Sequence, residues 1–473
     1  MRIAVVGSGY VGLTAAACLA SLGHEVRCVD VVPERVAAIE LGQSPFFEPG
    51  LAELLSSALA GKRLFATTDL VDAVVRSEIT IIAVGTPQGL AGIDLSFVEA
   101  ATGSIGRALR DVSGYHVVVS KSTVVPGTAD TVMRPILERE SGRNVGEFGL
   151  CVNPEFLREG HAVADFLNPD RLVIGEWDQR SGDTVARLYE TFACPVIRTT
   201  LANAEMIKYA SNALLATLIS FSNEIAVICE ATRDTDVQTV LHGVHLDQRL
   251  SPVVAGERVK PGILSYLWAG CGFGGSCLPK DVNALRAYAR ERIVDVPLLD
   301  AVMTVNAQRP RSLVDLAEKA LGSLRGATIT VLGLAFKPET SDLRNSPALQ
   351  VIQAFQERGA IIRAYDPIVT AEPDLAFPGL SSERHEQLLG LSGGVTLCAT
   401  KEAALRDSGA AVLVTACPEF LSWNWEELCS IMRQPLVIDG RGALSDVAWP
   451  VDVRYLEIGR APNPAFLSRA LAG

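Results

Sequence analysis

The stretch IAVVGSGYVGLTAAACLASLGHEVRCVD, residues 3–30, decides the fold class. Ile3 to Val6 is a continuous apolar run, as expected of a strand buried on both faces of a parallel sheet. Gly7-Ser8-Gly9-Tyr10-Val11-Gly12 follows, then a helical stretch from Leu13 to Leu22 closed by Gly23. A second strand, His24 to Val29, ends at Asp30. Three glycines at this spacing mean little alone. Here they sit between a strand and a helix, with an acid 18 residues after the third, and each has a physical task. Gly7 allows the tight turn, Gly9 lets a pyrophosphate reach the backbone, and Gly12 lets helix and strand pack closely. The helix start offers free N–H groups and a partial positive charge to phosphates. Asp30 would accept hydrogen bonds from ribose hydroxyls and repel a 2′-phosphate, which favours NAD over NADP, and Arg35 nearby works slightly against that preference.

The strand–loop pattern continues. Ile79 to Val84 runs into Gly85-Thr86-Pro87, and Val117 to Val119 into Ser120-Lys121-Ser122-Thr123. Both place small polar residues at the carboxyl end of a strand, where open α/β sheets bind ligands. Leu150 to Val152 then leads into Asn153-Pro154-Glu155-Phe156-Leu157-Arg158-Glu159-Gly160. Ala204 to Arg233 carries a polar–apolar pattern without Pro or Gly and predicts a long helix. On it Lys208 and Asn212, four apart, share one face, and Lys208 stands in an otherwise apolar run. More helix is expected to about residue 310, interrupted by the Gly/Pro-rich stretch 251–280, with the chain restarting around 311–326. Residues 328–333 read as a strand, 346–358 as a helix, and Ala360 to Tyr365 as a strand ending at Asp366-Pro367. That echoes the opening unit, but Gly333-Leu334-Ala335-Phe336-Lys337 replaces the glycine fingerprint. A second doubly wound domain with a different ligand is therefore expected. Its later strands, Ala411 to Thr415 and Leu436 to Ile438, end in Pro418-Glu419-Phe420 and Asp439-Gly440-Arg441-Gly442. Lysine and arginine at strand ends suit a phosphate-bearing substrate.

At roughly 100–200 residues per domain, a chain of 473 residues implies two to four domains. Its 42 basic and 54 acidic residues give a net charge of −12 without a long acidic run, which argues against a general nucleic-acid or anionic-membrane binder. A hydrophobic share of 48% excludes a mostly disordered chain. The ten cysteines contain no C-x-x-C pair, so neither a disulfide scaffold nor a zinc ribbon is expected, and no metal is called for. The N-terminus does not read as a signal peptide, and no uncharged stretch long enough for a membrane span occurs later. A cytoplasmic globular protein with reduced thiols is expected.

The sharpest local feature is Gly272-Phe273-Gly274-Gly275-Ser276-Cys277-Leu278-Pro279-Lys280-Asp281. Glycines just before a cysteine imply a backbone that a ligand must approach closely. Pro279 and Asp281 mark the start of a helix running through Leu285 to Ala289. A cysteine just ahead of a helix start and beside Lys280 is favoured as a thiolate. The other nine cysteines lie mostly in apolar strands and helices and read as core residues.

Taken with these, the segments GSGYVG, FFEPGL, VGTP, KSTVVPGT, NPEFLREG, DFLNPDRLVIG, AEMIKYASNALL, GFGGSCLPKD, LGLAFKPETSDLRNSPAL, RAYDP and DGRG cover almost the whole chain. In that order they resemble the NAD-dependent nucleotide-sugar dehydrogenases, and most closely the UDP-glucose 6-dehydrogenase branch. The resemblance implies a four-electron oxidation in which a sugar C6 alcohol becomes a carboxylate while two NAD are reduced. It implies that Cys277 is the nucleophile, forming a thiohemiacetal and then a thioester. Lys208 and Asn212 would stabilise the oxyanion, Asp281 would orient or deprotonate water, Glu155 would act as base for thioester hydrolysis, and Thr123 would help hold the water. For NAD it implies Gly7, Gly9, Tyr10, Val11, Gly12, Asp30, Arg35, Thr86, Thr123, Glu159, Lys280 and Arg344. For the nucleotide sugar it implies Glu155, Phe156, Leu157, Arg158, Glu159, Lys208, Asn212, Arg249, Phe273, Gly274, Lys337 and Arg441.

The implied fold is α/β: two doubly wound Rossmann-like domains joined by a long central helix and a small helical domain. The expected limits are 1–200 for NAD binding, 201–310 for the helical domain with the cysteine loop, and 311–473 for nucleotide-sugar binding. A homodimer built on the long helix is expected, with no nucleic-acid or membrane partner. Three departures stand out. Arg249 of Asp247-Gln248-Arg249, matching an arginine that reaches a neighbouring subunit's substrate, is separated from Cys277 by 27 residues, a dozen or so more than the family pattern. The extra stretch, about 251–270, ends in an apolar tail, Ile263 to Trp268, expected to pack rather than stay in water. Thr415-Ala416-Cys417 and Arg441-Gly442 also differ, both at the nucleotide end. GDP-mannose and UDP-N-acetylhexosamine 6-dehydrogenases are the alternatives of the same mechanism, and a catalytically silent NAD-binding regulator is the alternative of another class.

Overall fold

The computed structural model describes residues 1–89, 92–370 and 395–461. The chain divides into two compact units, Met1–Ser211 with Ala287–Ile293, and Asn212–Arg286 with Val294–Gly473. The division falls inside the helix Leu201–Ala231.

In the first unit β1 (Arg2–Val6), β2 (Glu25–Val29), β3 (Leu64–Thr67), β4 (Ile79–Ile82), β5 (Val117–Ser120), β6 (Gly149–Val152), β7 (Leu172–Glu176) and β8 (Val196–Thr199) form one sheet. The order is β3-β2-β1-β4-β5-β6-β7-β8, parallel throughout except between β6 and β7. The first six strands follow the order shared by dinucleotide-binding sheets, with the reversal between β1 and β4. Continuous apolar strands are explained by cover on both faces: Ile3 and Val5 enter one core, Ala4 and Val6 the other. The antiparallel β7 follows from the loop after β6, which returns the chain through the helix Ala162–Leu167.

In the second unit a hairpin of β9 (Val253–Val254) and β10 (Glu257–Arg258) precedes a six-stranded parallel sheet. Its strands are β11 (Thr328–Leu332), β12 (Ile361–Tyr365), β13 (Val395–Leu397), β14 (Ala410–Leu413), β15 (Leu436–Asp439) and β16 (Arg454–Glu457). Their order, β13-β12-β11-β14-β15-β16, repeats that of the first six strands of the first unit. The expected second doubly wound domain is present. The restart expected near residue 311 is not: one helix, Pro297–Leu321, runs through Pro310. Its buried face, Asn306, Arg309, Pro310, Leu313, Val314 and Ala317, continues across the proline, so packing overrides the local breaker.

By length and a mean hydropathy of 1.5, the helix Leu201–Ala231 passes for a membrane span, the one such helix among the described residues. Its buried polar residues fit a protein core instead: Ser220 donates to the Val302 carbonyl at 3.1 Å, and Asn223 accepts from the Gly270 amide at 2.7 Å. In the first unit Glu205 of the same helix accepts from the Gly127 and Ala129 amides at 2.5 and 2.8 Å, at the start of the helical run 129–141.

Burial, with Asp130 adding to it, outweighs those two amides and raises the Glu205 carboxyl to about 7. A carboxyl raised on folding stabilises the folded state fully below its unfolded value, and that contribution is lost as pH rises from about 4.5 to 7. Relative to Glu205→Gln, the wild type should therefore lose on the order of 3 kcal/mol between pH 4.5 and 8. Denaturant unfolding of both proteins across that range checks it, and parallel pH profiles would refute it.

Candidate active site

The glycine turn lies where β1 hands over to the helix Tyr10–Ser21. Gly7 has φ +101°, and a Cβ there would stand 2.7 Å from the Ala83 carbonyl oxygen. A Cβ on Gly12 would overlap the Gly7 carbonyl. Both glycines are therefore required by the chain's own packing. Nothing lies within 4 Å of where a Gly9 Cβ would stand, so packing does not demand that glycine and the backbone there is open to close approach. Gly9 is the N-cap of the helix and no side chain caps it, which leaves the amides of Tyr10, Val11 and Gly12 suited to a pyrophosphate.

Asp30, at the end of β2, accepts from the Ser8 amide and hydroxyl at 2.9 and 2.5 Å and from the Val32 amide at 3.1 Å. Arg35 pairs with it at 3.2 Å. Burial alone would raise this carboxyl; Ser8, Val32 and Arg35 together hold it below the ordinary value, so it stays an ionised acceptor. Thr86 follows β4 and is buried, while Thr123 follows β5 and is half-buried. Beside Thr123, Ser122 donates to the Val84 carbonyl at 2.7 Å.

After β6, Glu155 and Lys208 form an ion pair of 2.9 Å with side chains only 6% and 5% exposed. The other Glu155 oxygen accepts from the Leu157 amide at 2.7 Å. Burial pushes the carboxyl up, but the charge and hydrogen bond of Lys208, the Leu157 amide and the charge of Lys121 outweigh it, and the net shift is downward. Phe156 stacks under the Arg171 guanidinium at 3.9 Å, with the Lys208 ammonium 5.6 Å from the same ring. Arg171 also donates to Ser211 at 3.2 Å. Arg158 turns outward onto Asp165 in a 2.6 Å pair, and Glu159 is half-buried.

The sequence places Lys121 at a strand end, within Ser120-Lys121-Ser122-Thr123, without giving it a role of its own. It is buried, donates to the Asn153 side chain at 3.0 Å, and burial lowers its ammonium to about 8. Asn153 also accepts from the Tyr189 hydroxyl and donates to the Val173 carbonyl, which fixes the turn entering Glu155. The available signal was a lysine directly after a fully buried strand, β5, where no solvent is at hand.

In the second unit Cys277 is half-buried and immediately precedes the helix Leu278–Glu291. The Asp281 amide donates to the Cys277 carbonyl at 2.8 Å, one turn on. The Asp281 carboxylate, 1% exposed, accepts from Asn212 at 2.6 Å and pairs with Lys280 at 2.6 Å. Asp281, Asn212 and Lys280 are thus one cluster, tied through the Asp281 backbone to Cys277, whose thiol lies 3.6 Å from the Ser276 hydroxyl. Of the other nine cysteines eight are buried and Cys194 is half-buried, and burial pushes the Cys28 thiol up to about 12.

The glycines before Cys277 have a different cause from the one expected. A Gly272 Cβ would stand 2.7 Å from Asn306, one on Gly274 would overlap the Asn345 carbonyl, and one on Gly275 would stand 2.8 Å from the Phe336 ring. The chain's own segments press on this loop. Gly275 donates to the Arg344 carbonyl at 2.9 Å, and Asn306 brackets Phe273 from both sides of its backbone at 2.7 and 3.1 Å. The Phe273 ring lies in the small helical core with Ala216, Val282 and Val302. Arg441 donates to the Val414 carbonyl at 2.7 Å and to Gly272 at 3.4 Å. Lys337 follows β11 and is half-buried, and Arg344 is exposed and paired with Asp342 at 2.7 Å. Arg249 is exposed and paired with its near neighbour Asp247 at 2.5 Å. In the inserted stretch Leu264 and Leu267 are buried and Trp268 packs edge-on to His245 at 4.4 Å, while the hairpin before them is exposed.

Three family models match in succession: the NAD binding domain of the UDP-glucose/GDP-mannose dehydrogenase family at residues 1–193, its central domain at 202–308, and its UDP binding domain at 330–446. The chain belongs to this family. Its fold and its cofactor, NAD, follow with that membership, and it is an NAD-dependent dehydrogenase of nucleotide sugars. It is 40% identical to the UDP-glucose 6-dehydrogenase TuaD of Bacillus subtilis over 445 residues, 94% of this chain and 90% of that one. It is also 40% identical to the GDP-mannose 6-dehydrogenase of Azotobacter vinelandii, over 77% of this chain and 81% of that one. A UDP-glucose dehydrogenase from the archaeon Pyrobaculum islandicum has a similar structure, with TM-score 0.85, 35% identity, and coverage of 97% of this chain and 98% of that one.

Gly275→Ala should destabilise the protein by at least about 2 kcal/mol, because φ is +82° and the new methyl meets the Phe336 ring. Gly9→Ala, with open space around it, should leave the unfolding midpoint within a degree or two and weaken NAD binding instead. Thermal unfolding and NADH titration of both variants check the contrast.

Proposed function

We propose that this protein oxidises UDP-glucose at C6 to UDP-glucuronate. The observation that carries the reading is the cluster at Cys277, where the carboxylate one turn along the helix is held by Asn212 and Lys280. A thiol able to capture an aldehyde, one helical turn before a fixed carboxylate, is what a second oxidation at the same carbon needs. NAD, when bound, accepts the hydride in each oxidation.

Cys277 adds to the aldehyde carbon, and its thiohemiacetal loses the second hydride to become a thioester. Lys208 and Asn212 stabilise the oxyanion, as preorganised donors do for roughly 3–4 kcal/mol each. Asp281 orients or deprotonates water, Glu155 serves as base in thioester hydrolysis, and Thr123 helps hold the attacking water. The low carboxyl of Glu155 supports a base that is ionised in the working range. Each sugar gives up four electrons and takes one oxygen from water. Gly7, Gly9, Tyr10, Val11, Gly12, Asp30, Arg35, Thr86, Glu159, Lys280 and Arg344 bind NAD. Phe156, Leu157, Arg158, Phe273, Gly274, Lys337 and Arg441 serve the nucleotide sugar.

UDP-glucose is preferred because the relatives of that name match over 93–97% of the chain, against 77% for the GDP-mannose enzymes. The GDP-mannose reading keeps the same chemistry and rests on an equal 40% identity. A homodimer is supported by Leu214, Phe221 and Ile228, seven residues apart on the long helix and 46–56% exposed. Arg249 then serves the partner's site. Cysteines that form no disulfide among the described residues support a cytoplasmic setting.

NADH formed from UDP-glucose, GDP-mannose and UDP-N-acetylglucosamine tests the substrate, and two NADH per UDP-glucose without free aldehyde is the expected result. Cys277→Ser should stall after one turnover or trap an adduct while still binding NAD. Sustained formation of two NADH by that variant removes Cys277 from the mechanism.

Asp30→Ala should weaken NAD binding by about 1.5–3 kcal/mol and narrow its advantage over NADP, since a hydrogen bond to a buried charge is lost. An unchanged affinity in cofactor titration would give ribose recognition to Arg35.

A further inference from the structure

Glu48, in the turn Phe46-Phe47-Glu48-Pro49-Gly50, is buried at 5% exposure with no part in the chemistry above. Its carboxylate gathers donors from two distant segments, all in the first unit. One oxygen accepts from the Tyr10 hydroxyl, in the glycine turn, and from the Gly160 amide at 2.8 Å. The other accepts from the Ala162 amide at 2.6 Å. The Gly160 amide also lies 3.0 Å from the Tyr10 hydroxyl oxygen, and the Tyr10 ring packs on Phe46 at 4.9 Å. Burial, with Glu48 adding to it, pushes the Tyr10 phenol far up, so it remains a donor.

We propose that Glu48 is a positioning residue that locks the NAD-binding glycine turn to the 155–160 loop, through Tyr10 on one side and the Gly160 and Ala162 amides on the other. A buried carboxylate must keep its donors, so neither segment can shift without leaving a charge short of a hydrogen bond. Tyr10 opens the helix whose first amides face the pyrophosphate. Gly160, at φ +80°, closes the loop that begins at Glu155. The site taking the cofactor and the loop carrying the hydrolytic base are therefore held by one carboxylate. This inference rests on the roles proposed above for residues 155–159.

The test is a pair of variants, Glu48→Gln and Tyr10→Phe. The carboxamide introduced by Glu48→Gln would turn a donor toward a backbone N–H, whereas Tyr10→Phe deletes a single hydroxyl and serves if the first variant folds poorly. Both should weaken NADH binding at least threefold by fluorescence titration. Both should also raise the KM for the nucleotide sugar at least tenfold, at a temperature where unfolding shows them folded. A role in stability alone would lower the unfolding midpoint and leave both constants within twofold of wild type, and either constant remaining within twofold overturns the proposal. If the wild type oxidises none of the three nucleotide sugars, the proposed function fails by that control. The NADH titration then decides the role of Glu48 by itself: a loss of threefold or more upholds it and an unchanged affinity refutes it.

Discussion

Lys208 and Glu155, 2.9 Å apart and almost without solvent, set the terms for much of the first unit. Two charges withdrawn from water repay their desolvation only when geometry is good and the remaining hydrogen bonds are made, and removing one partner typically costs about 3–5 kcal/mol. Everything around the pair answers that demand. The Leu157 amide takes the second Glu155 oxygen, Asn153 is held from three directions, and the Phe156 ring offers its face to Arg171 and Lys208. A lysine on a helix and a glutamate in a loop stay in register because both are anchored by neighbours with no catalytic assignment. The same rule holds around Asp281, whose buried carboxylate is matched by Asn212 and Lys280. Buried charge, once committed, fixes the loops that carry it.

Much of this could be read from the sequence because strand, turn and helix residues obey local rules. The continuous apolar strands, the glycine turn and the long helix announce themselves through period and composition, and Asp30 through its distance from Gly12. The Cys277 segment was visible for the same reason: a short run of unusual residues at a helix start. What could not be read was the partner of each feature. Nothing local to Lys121 says that it meets Asn153, and nothing local to Glu48 says that it meets Tyr10 and Gly160, because contacts such as Lys121–Asn153 and Glu48–Gly160 join segments 32 and 112 residues apart. The helix through Pro310 was missed because a proline weighs heavily in a local reading and the packed face that overrides it is a tertiary property.

The glycines before Cys277 show a second limit. A glycine marks a place where something comes close, but the sequence does not say whether that is a ligand or the chain itself. Gly9 and Gly275 illustrate the two cases, one with open space beside it and the other facing Phe336. They differ in backbone as well as neighbour: Gly9 has φ −70°, open to any residue, and Gly275 has φ +82°, which favours glycine. For the cysteine loop the consequence is rigidity: Asn306, the Arg344 carbonyl, Asn345 and Arg441 all hold its backbone, and the thiol is presented from a fixed support.

The two sheets share a strand order, and each has an aspartate at the end of its second strand, yet the aspartates diverge. Asp30 holds Ser8 and Val32 and remains next to a turn built of glycines. Asp366 is saturated by four backbone amides, those of Leu334 and Ala335 on one side and Ile368 and Val369 on the other. Where the first sheet has a turn open to phosphates, the second has Gly333 pressed against Thr415 and a segment that goes on to support the cysteine loop through Phe336 and Arg344. An acid that holds the glycine turn in one copy of the fold is, in the other, a clamp on backbone amides alone. The repeated topology thus supplies two sheets of one design, and the residues in the first turn decide whether that turn stays open or becomes part of the support of the Cys277 loop.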